Sequence, residues 1–242
     1  FSADISFVGS MYHKNSYDDI KDKLPPYLRG YFDAAMLAQL NIYGDNIIDE
    51  LLTVDILKQL SEFVDFRQDK RAFSDIRLVF ESTFLGFKLA NIERVRTLNL
   101  LAKKNKVALY TDEQDTSLIN VDFKGTVDYM NDMPKVFNNS SINLNMTIRN
   151  IRTGIPLRVW DILGAGGFLL TNYQIELTDY FKNEESIVYY EDMYDCCKKA
   201  EYYLLHEDKR RQIAAKGHEL VSKKHSYINR VKYILDVIGK MS

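Results

Sequence analysis

The segment from Asn145 to Asn172 constrains the fold of this chain more than any other part. It contains the end of a strand, a basic loop with Gly154, a helix opened by Pro156, a glycine-rich turn and a continuously apolar strand. Proline is favoured at the first position of a helix, and a strand covered on both faces is apolar throughout. The segment therefore predicts a strand–helix–strand unit.

Short apolar runs elsewhere in the chain have the same character. We predict strands near residues 5–9, 107–111, 125–129, 142–146, 167–171 and 186–190. Between the first two strands, apolar residues recur every three or four positions, with breaks at Pro25-Pro26 and around 65–74. This spacing predicts that residues 17–106 are almost wholly helical.

The later strands alternate with helical segments, which is typical of a parallel sheet covered on both faces. We predict a short helix over 132–138, a helix capped by Asp192, and helical periodicity from 209 to 238. We expect a single α/β domain over residues 1–242. Its helical insertion covers 15–106, and its main part, in which strands and helices alternate, covers 107–242.

Composition excludes several classes of protein. The 32 basic and 34 acidic residues nearly balance, so the chain has no net positive charge that would attract nucleic acid or an anionic membrane. No apolar run is long enough for a transmembrane segment, and no signal peptide opens the chain. The two cysteines, Cys196 and Cys197, are adjacent and poorly arranged for a disulfide. We therefore expect a reducing, cytoplasmic location.

Several catalytic motifs are absent from the sequence. There is no phosphate-binding loop ending in Gly-Lys-Ser/Thr, and the run from Gly164 lacks the last glycine of the dinucleotide fingerprint because Leu169 holds that position. The four histidines have no metal-ligand spacing, and no Asp-x-Asp pair exists. We expect neither a metal site nor a tightly bound cofactor.

Three arginines, Arg149, Arg152 and Arg158, lie in or just after the loop that leads into the Pro156 helix. A helix N-terminus favours an anion, and guanidinium groups match phosphate oxygens. The alternative is an ordinary helix in which Arg158 and Asp161 form a solvated ion pair. The flanking pattern favours a phosphate-bearing ligand.

Other candidates follow the predicted strands. Gly9 and Ser10 follow the first strand and could offer backbone donors to a phosphate, or could simply form a turn. Tyr129 could stack on a nucleobase, although any one of 16 tyrosines is more often a packing residue.

The order of these pieces resembles the C-terminal half of bacterial glycosyltransferases of the CgeB-like (spore maturation protein) group. The matching segments are residues 4–10, 125–129, 141–145, 154–172 and 225–230. The resemblance implies a Rossmann-like, donor-binding half of a GT-B fold, in which Asp161 holds the ribose of the donor. It also implies a glycosyltransferase that uses a nucleotide-diphosphate sugar and an unknown acceptor.

On this basis Arg152 and Arg158 are expected to neutralise the diphosphate. Gly9, Ser10 and Asn145 are expected at the donor site, and Thr111 and Tyr129 at the base. No catalytic residue is assigned, because the loop before the helix carries arginines where many retaining enzymes of this type have a glutamate. The competing hypothesis is a non-catalytic α/β module that binds a phosphorylated metabolite or a protein partner.

A complete enzyme of this type has an N-terminal acceptor domain before the first strand. Here Phe1 opens the chain and only four residues precede Ile5. We therefore expect that domain to be missing, apolar surface to be exposed on the final helix, and the chain to self-associate.

Overall fold

The computed structural model describes residues 1–64 and 75–241, so the break predicted around 65–74 lies outside the described residues. The strands are β1 (Ala3–Val8), β2 (Val107–Tyr110), β3 (Val121–Phe123), β4 (Ser140–Asn145), β5 (Leu169–Asn172) and β6 (Val188–Tyr190). They form one six-stranded sheet in the order β3-β2-β1-β4-β5-β6, and every pair is parallel. The predicted Rossmann-like parallel sheet is confirmed.

One predicted strand is misplaced. Residues 125–129 were expected to form it, but β3 lies at Val121–Phe123 and residues 125–128 form a loop. Gly125 has φ of +73°, a left-handed conformation that is incompatible with an extended strand. The strand β3 was hard to recognise because it has only three residues, and the central Asp122 is exposed at the sheet edge.

The described α-helices are α1 (Ser16–Ile20), α2 (Pro26–Gln39), α3 (Ile48–Leu51), α4 (Val54–Ser61), α5 (Ile76–Val79), α6 (Phe87–Leu101), α7 (Met133–Asn139), α8 (Leu157–Gly164), α9 (Leu177–Tyr180), α10 (Met193–Leu205), α11 (Glu207–Lys224) and α12 (Tyr227–Met241). A 3₁₀ turn covers Lys21–Lys23, and a π-helix covers Phe80–Gly86 between α5 and α6. The Asp192 side chain caps α10 as predicted, accepting from the N–H groups of Tyr194 and Asp195.

Helices cover both faces of the sheet. On one face, α6 and α10 pack on strand residues such as Phe7 and Leu109. On the other, α7 and α8 pack on Ala108 and Leu169. The long helix α11 contributes to both cores, because Ile213 belongs to the first and Val221 to the second. Successive residues of a strand point to opposite faces, which accounts for the division.

The described residues between β1 and β2 contain helices and turns but no strand. Most of these helices form a separate apolar core around Phe32 and Phe80. The last of them, α6, contributes Leu89 to this core and also packs on the sheet through Leu98 and Leu101. The predicted insertion therefore includes the crossover helix that connects β1 to β2.

The turn from α8 into β5 requires glycine at two positions. Gly166 has φ of +76°. A Cβ on Gly167 would lie 2.6 Å from the Asn143 side-chain nitrogen and 2.7 Å from the Phe137 carbonyl oxygen. This close approach fixes α8 over β4 and β5, so that the N-terminal end of α8 lies at the carboxyl edge of the sheet.

Candidate functional site

The strand order β3-β2-β1-β4-β5-β6 reverses at β1 and β4, because the strands that follow β1 are added on one side and those that follow β4 on the other. Open α/β sheets bind ligands in the crevice at such a point. Here a buried guanidinium joins the two loops that leave these strands. Arg94 of α6 donates to the carbonyl oxygens of Ser10 and of Met146, the latter at 2.7 Å. Its guanidinium also lies 4.8 Å from the centre of the Tyr12 ring. Arg94 therefore holds together the two loops that border the crevice.

Of the two predicted backbone donors, Gly9 and Ser10, the N–H of Gly9 has another partner. The Gly9 N–H donates to the Tyr110 carbonyl at 3.0 Å, which extends the pairing of β1 with β2. The Ser10 carbonyl accepts from Arg94, and its hydroxyl accepts from the Tyr12 N–H at 3.3 Å. Of the two, only Ser10 is exposed. The Gly9 N–H therefore belongs to the sheet and cannot face a phosphate.

Thr111 and Asn145 are buried at the ends of their strands. The Thr111 hydroxyl donates to the Asp112 carboxylate at 3.0 Å. The Asn145 amide donates to the hydroxyls of Thr147 and Thr171, at 3.0 and 2.9 Å. Both side chains hold the strand ends and the loops that follow them, and neither is brought to the helix α8.

The three loop arginines have different surroundings. The Arg149 side chain is 4 % exposed, pairs with Glu93 at 2.8 Å and lies 3.7 Å from the centre of the Tyr43 ring. Arg152 is half exposed and pairs with Asp49 at 2.9 Å and with Glu81 at 3.6 Å. Both therefore contact the helical region between β1 and β2 and lie apart from Arg158.

Three predicted residues do converge. The Tyr129 hydroxyl donates to the Asp161 carboxylate at 2.8 Å, and Arg158 lies 3.5 Å from the other oxygen of the same carboxylate. Arg158 also contacts the Met133 sulfur and lies 5.5 Å from the centre of the Phe137 ring. Because Arg158 and Asp161 stand three apart on α8, they share one helix face. Together with Tyr129, which arrives on the loop after β3, they form a polar cluster.

Burial and hydrogen bonding set the charge states of this cluster. The hydrogen bond that Tyr129 donates to Asp161 raises the pKa of the phenol, so the hydroxyl keeps its proton at neutral pH. Burial lowers the pKa of the Arg158 guanidinium, opposed by the charge of Asp161. Arginine nevertheless remains charged in proteins. The cluster thus offers one cation, one carboxylate and one hydroxyl.

An open cleft of about 440 Å³ lies beside Asp161. Its wall includes Trp160 and His225, whose rings lie 5.1 Å apart, and Tyr180, whose ring lies 5.8 Å from that of Trp160. The Arg230 guanidinium lies 5.4 Å from the Trp160 ring. Burial lowers the pKa of His225, and the charge of Arg230 lowers it further. The His225 ring is therefore neutral at neutral pH.

The sequence interpretation did not assign Trp160, Tyr180, His225 or Arg230 to the site. One signal was present, because Trp160 is the only tryptophan and directly precedes Asp161. Tyr180 offered no such signal, since its position beside Trp160 depends on the packing of α9 against α8.

The cleft and the polar cluster beside it together supply groups that suit a ligand with an anionic, a hydroxylated and a planar part. Arg158 and Arg230 can neutralise an anion, Asp161 can accept from hydroxyls, and the rings can contact a planar group. The N-terminus of α8 has no side-chain cap at Pro156, and such an end favours an anion. Over residues 1–64 and 75–241, no group of three or more His, Cys, Asp or Glu side chains could hold a metal ion. None of the described helices is both long and apolar enough to cross a membrane.

A family model described as glycosyl transferase-like matches residues 91–236, which is more than half of the chain. The match begins within α6 and includes the whole sheet except β1, and the cluster around Asp161. No curated protein matches the chain.

Among solved structures, TarM aligns with 59% of this chain and 31% of its own, at 14% identity and a TM-score of 0.48. An S. aureus TarM mutant in complex with fondaparinux, alpha-GlcNAc-glycerol and UDP aligns with 59% of this chain and 31% of its own, at 13% identity and a TM-score of 0.47. The T4 phage BGT in complex with UDP-glucose aligns with 53% of this chain and 42% of its own, at 15% identity and a TM-score of 0.43. The aligned part is less than half of each of these chains.

Proposed function

Because this chain belongs to the glycosyl transferase-like family, we propose that it binds a nucleotide-diphosphate sugar as the donor for transfer to an acceptor. In this proposal Arg158 neutralises the diphosphate, Asp161 accepts hydrogen bonds from the ribose hydroxyls, and Tyr129 contacts the base. Arg230 supplies a second positive charge at the rim of the cleft.

The observation that carries the proposal is the convergence of Tyr129, Arg158 and Asp161 beside the open cleft. The Asp161 carboxylate accepts from Tyr129 at 2.8 Å and from Arg158 at 3.5 Å, one bond to each oxygen, so it keeps lone pairs for ligand hydroxyls. Arg158 lies 3.5 Å from Asp161, which is longer than an ordinary charge-assisted hydrogen bond, so its N–H groups keep capacity for phosphate oxygens.

We further propose that the chain is the donor-binding half of a GT-B enzyme of the CgeB-like group, active in the cytoplasm. Its two cysteines are free thiols, as a reducing compartment would maintain them. Charge neutralisation by arginine and by the α8 N-terminus replaces an obligatory metal ion in this scheme.

Self-association is also part of the proposal. Along α12, Ile228, Val231 and Leu235 are each more than half exposed and stand three or four residues apart, which gives the helix an apolar stripe. A stripe of this kind favours association. Analytical ultracentrifugation should show a concentration-dependent mass that Leu235→Lys reduces. A monomer at every concentration would contradict this part.

The donor proposal is tested by saturation-transfer NMR with a panel of UDP-, GDP- and dTDP-sugars. We expect at least one donor to give a signal that the Arg158→Ala variant lacks. If sugar phosphates without a nucleotide bind equally well, the chain is instead a module that binds phosphorylated metabolites. If no nucleotide sugar binds, the proposed function is wrong.

A further inference from the structure

One carboxylate in the cleft beside Asp161 has no role in the donor site proposed above. Glu176 stands at the N-cap position of α9 and lines the cleft together with Asp161 and Gly154. Its side chain makes no capping hydrogen bond to α9. It accepts instead from the N–H of Gly154, in the loop that leads into α8. The Glu176 carboxylate is therefore held inside the cleft by that loop.

The loop before α8 has no carboxylate of its own. Residues 147–155 contain two arginines but no Asp or Glu. The acidic group beside Gly154 comes from the loop after the neighbouring strand β5, which pairs with β4. Gly154 has φ of +92°, a left-handed conformation that glycine adopts without strain. Two loops at the same edge of the sheet thus place one carboxylate in the cleft.

Glu176 differs from the other carboxylates of this region in its partners. Glu93 pairs with an arginine at 2.8 Å, and Asp161 lies 3.5 Å from Arg158. Over the part of the chain that the structure describes, no basic side chain pairs with Glu176, and the Gly154 N–H is the one donor from which it accepts. Its side chain is partly exposed. Because an ionised carboxylate has about four acceptor positions, most of them remain open to a ligand.

An aromatic ring lies near this carboxylate. Tyr180, four residues after Glu176, lines the same cleft, and its ring lies 5.8 Å from that of Trp160. Small-molecule sites commonly combine aromatic walls with a few placed polar groups. A hexose has apolar C–H faces and hydroxyl groups around its edge. It therefore matches a cleft that offers a ring and a free acceptor together.

The charge of the cleft decides which sugars fit. Its charged lining groups are the carboxylates of Asp161 and Glu176 and the guanidinium of Arg230, since the His225 ring is neutral. In the proposed donor site Arg230 faces the diphosphate, so no lining cation remains for a second anionic group. A carboxylate on the sugar would meet the like charge of Glu176, whereas hydroxyl groups can donate to it.

We propose that Glu176 determines the specificity for the donor sugar. Its carboxylate accepts hydrogen bonds from the hydroxyls of a neutral sugar and disfavours the corresponding uronic acid. This proposal rests on the proposed donor function and deepens it. The ribose is held at Asp161, and the transferred sugar lies on the side of the cleft formed by Gly154, Glu176 and Tyr180.

The test is isothermal titration calorimetry on the whole chain with UDP-glucose, GDP-mannose and dTDP-glucose, each compared with UDP, GDP or dTDP. The nucleoside diphosphate lacks the sugar, so the ratio of the two dissociation constants isolates the contribution of the sugar. In Glu176→Gln the dissociation constant for nucleotide sugar, divided by that for nucleoside diphosphate, should rise by roughly fivefold or more, because hydrogen bonds to a carboxylate are stronger than those to an amide. The glutamine oxygen can still accept from Gly154, and binding of the nucleoside diphosphate shows that the variant is folded.

The matched control is Asp179→Asn, which makes the same chemical change on α9 at an exposed residue outside the cleft lining. It should leave the ratio of dissociation constants within about twofold, since surface substitutions have small effects. A second measurement needs no variant. The unmodified chain should bind UDP-glucuronic acid, GDP-mannuronic acid or dTDP-glucuronic acid roughly tenfold more weakly than the matching neutral donor, because like charges repel. Glu176→Gln should reduce that difference.

Three results would each overturn the assignment of Glu176. These are an unchanged ratio in Glu176→Gln, an equal gain in affinity for nucleotide sugar and nucleoside diphosphate, and a preference of the unmodified chain for the uronic acid donor. The second result would show that Glu176 repels the diphosphate and does not contact the sugar. If no nucleotide sugar and no nucleoside diphosphate binds to the unmodified chain, the donor function itself is wrong, and the role of Glu176 fails with it.

Discussion

Two arginine clusters lie near the carboxyl edge of the sheet, and they differ in what they leave available. Beneath the edge, Arg94 and Arg149 are buried and bind backbone carbonyls, a carboxylate and aromatic rings within the fold. At α8, Arg158 lies 3.5 Å from Asp161, which lines an open cleft, and Arg230 lines the same cleft with its guanidinium 3.0 Å from the His225 ring nitrogen. The first cluster holds loops in place, whereas the second keeps hydrogen-bonding capacity for a ligand.

The comparison teaches that a basic loop next to a helix N-terminus does not by itself locate an anion site. Arg149 and Arg158 are close in sequence, yet Glu93 neutralises the first, and the second lies beside Asp161, which lines the cleft. A buried ion pair matters for stability because breaking it leaves an uncompensated charge. A half-buried arginine at a cleft matters for binding, because the ligand can supply the missing charge.

The largest effect should come from the buried cluster. Arg149→Ala leaves the Glu93 carboxylate without its cation in a position that is 2 % exposed. Breaking a buried ion pair in this way costs about 3–5 kcal/mol in the free energy of unfolding. Urea denaturation followed by circular dichroism measures it.

The matched control is Arg211→Ala, which removes an exposed pair with Glu207 on α11. That change should cost less than about 1 kcal/mol. If both variants unfold at the same urea concentration, the buried cluster does not stabilise the fold, and the contrast between the two arginine clusters fails.

The second effect concerns ligand binding. Arg158→Ala should weaken the affinity for a nucleotide-diphosphate sugar by about 1.5–3 kcal/mol, or roughly ten- to a hundredfold, because a charge-assisted contact to phosphate is lost. Isothermal titration calorimetry measures this, with Arg211→Ala as the control that keeps full affinity. Unchanged affinity in a folded Arg158→Ala protein would remove Arg158 from the site.

Much of the fold was predictable from local patterns. The β5 strand opens with two leucines directly after the glycine turn and Phe168, and α8 begins directly after Pro156. The sequence also identified Asp161 and Arg158, which share a helix face because of their spacing alone. By contrast, β3 was misplaced because its three residues carry too weak a pattern to compete with the run after Gly125.

The partners of the loop arginines were not predictable in the same way. Arg149 finds its partner Glu93 at a separation of 56 residues, and Arg152 pairs with acidic residues of the helical region. These contacts depend on how helices between β1 and β2 pack on the loop after β4. No local pattern in the sequence encodes that packing, so the three arginines looked equivalent.

The third prediction distinguishes the contribution of Tyr129 to nucleotide-sugar affinity from that of Arg158. Tyr129→Ala removes both the ring and the hydroxyl that donates to Asp161. We expect a loss of about 1 kcal/mol in nucleotide-sugar affinity, roughly fivefold, which is smaller than that of Arg158→Ala. Tyr129→Phe keeps the ring and should lose less. If calorimetry shows a larger loss of affinity in Tyr129→Ala than in Arg158→Ala, contact with the base contributes more to nucleotide-sugar binding than charge neutralisation does.

The smallest expected effect is that of a chelator. The sequence has no Asp-x-Asp pair, and the proposed site neutralises the diphosphate with Arg158, Arg230 and the α8 N-terminus. The dissociation constant for nucleotide sugar should therefore change less than about twofold between buffer with EDTA and buffer with magnesium. Magnesium can raise the affinity slightly by binding the free diphosphate, so titrations with manganese and calcium provide the comparison. Loss of binding in EDTA that manganese or magnesium restores would contradict metal independence. It would also show that Arg158 and Arg230 are insufficient to balance the charge of the ligand. The contrast with the buried arginine cluster would then fail, because neither cluster would bind the ligand without a metal ion.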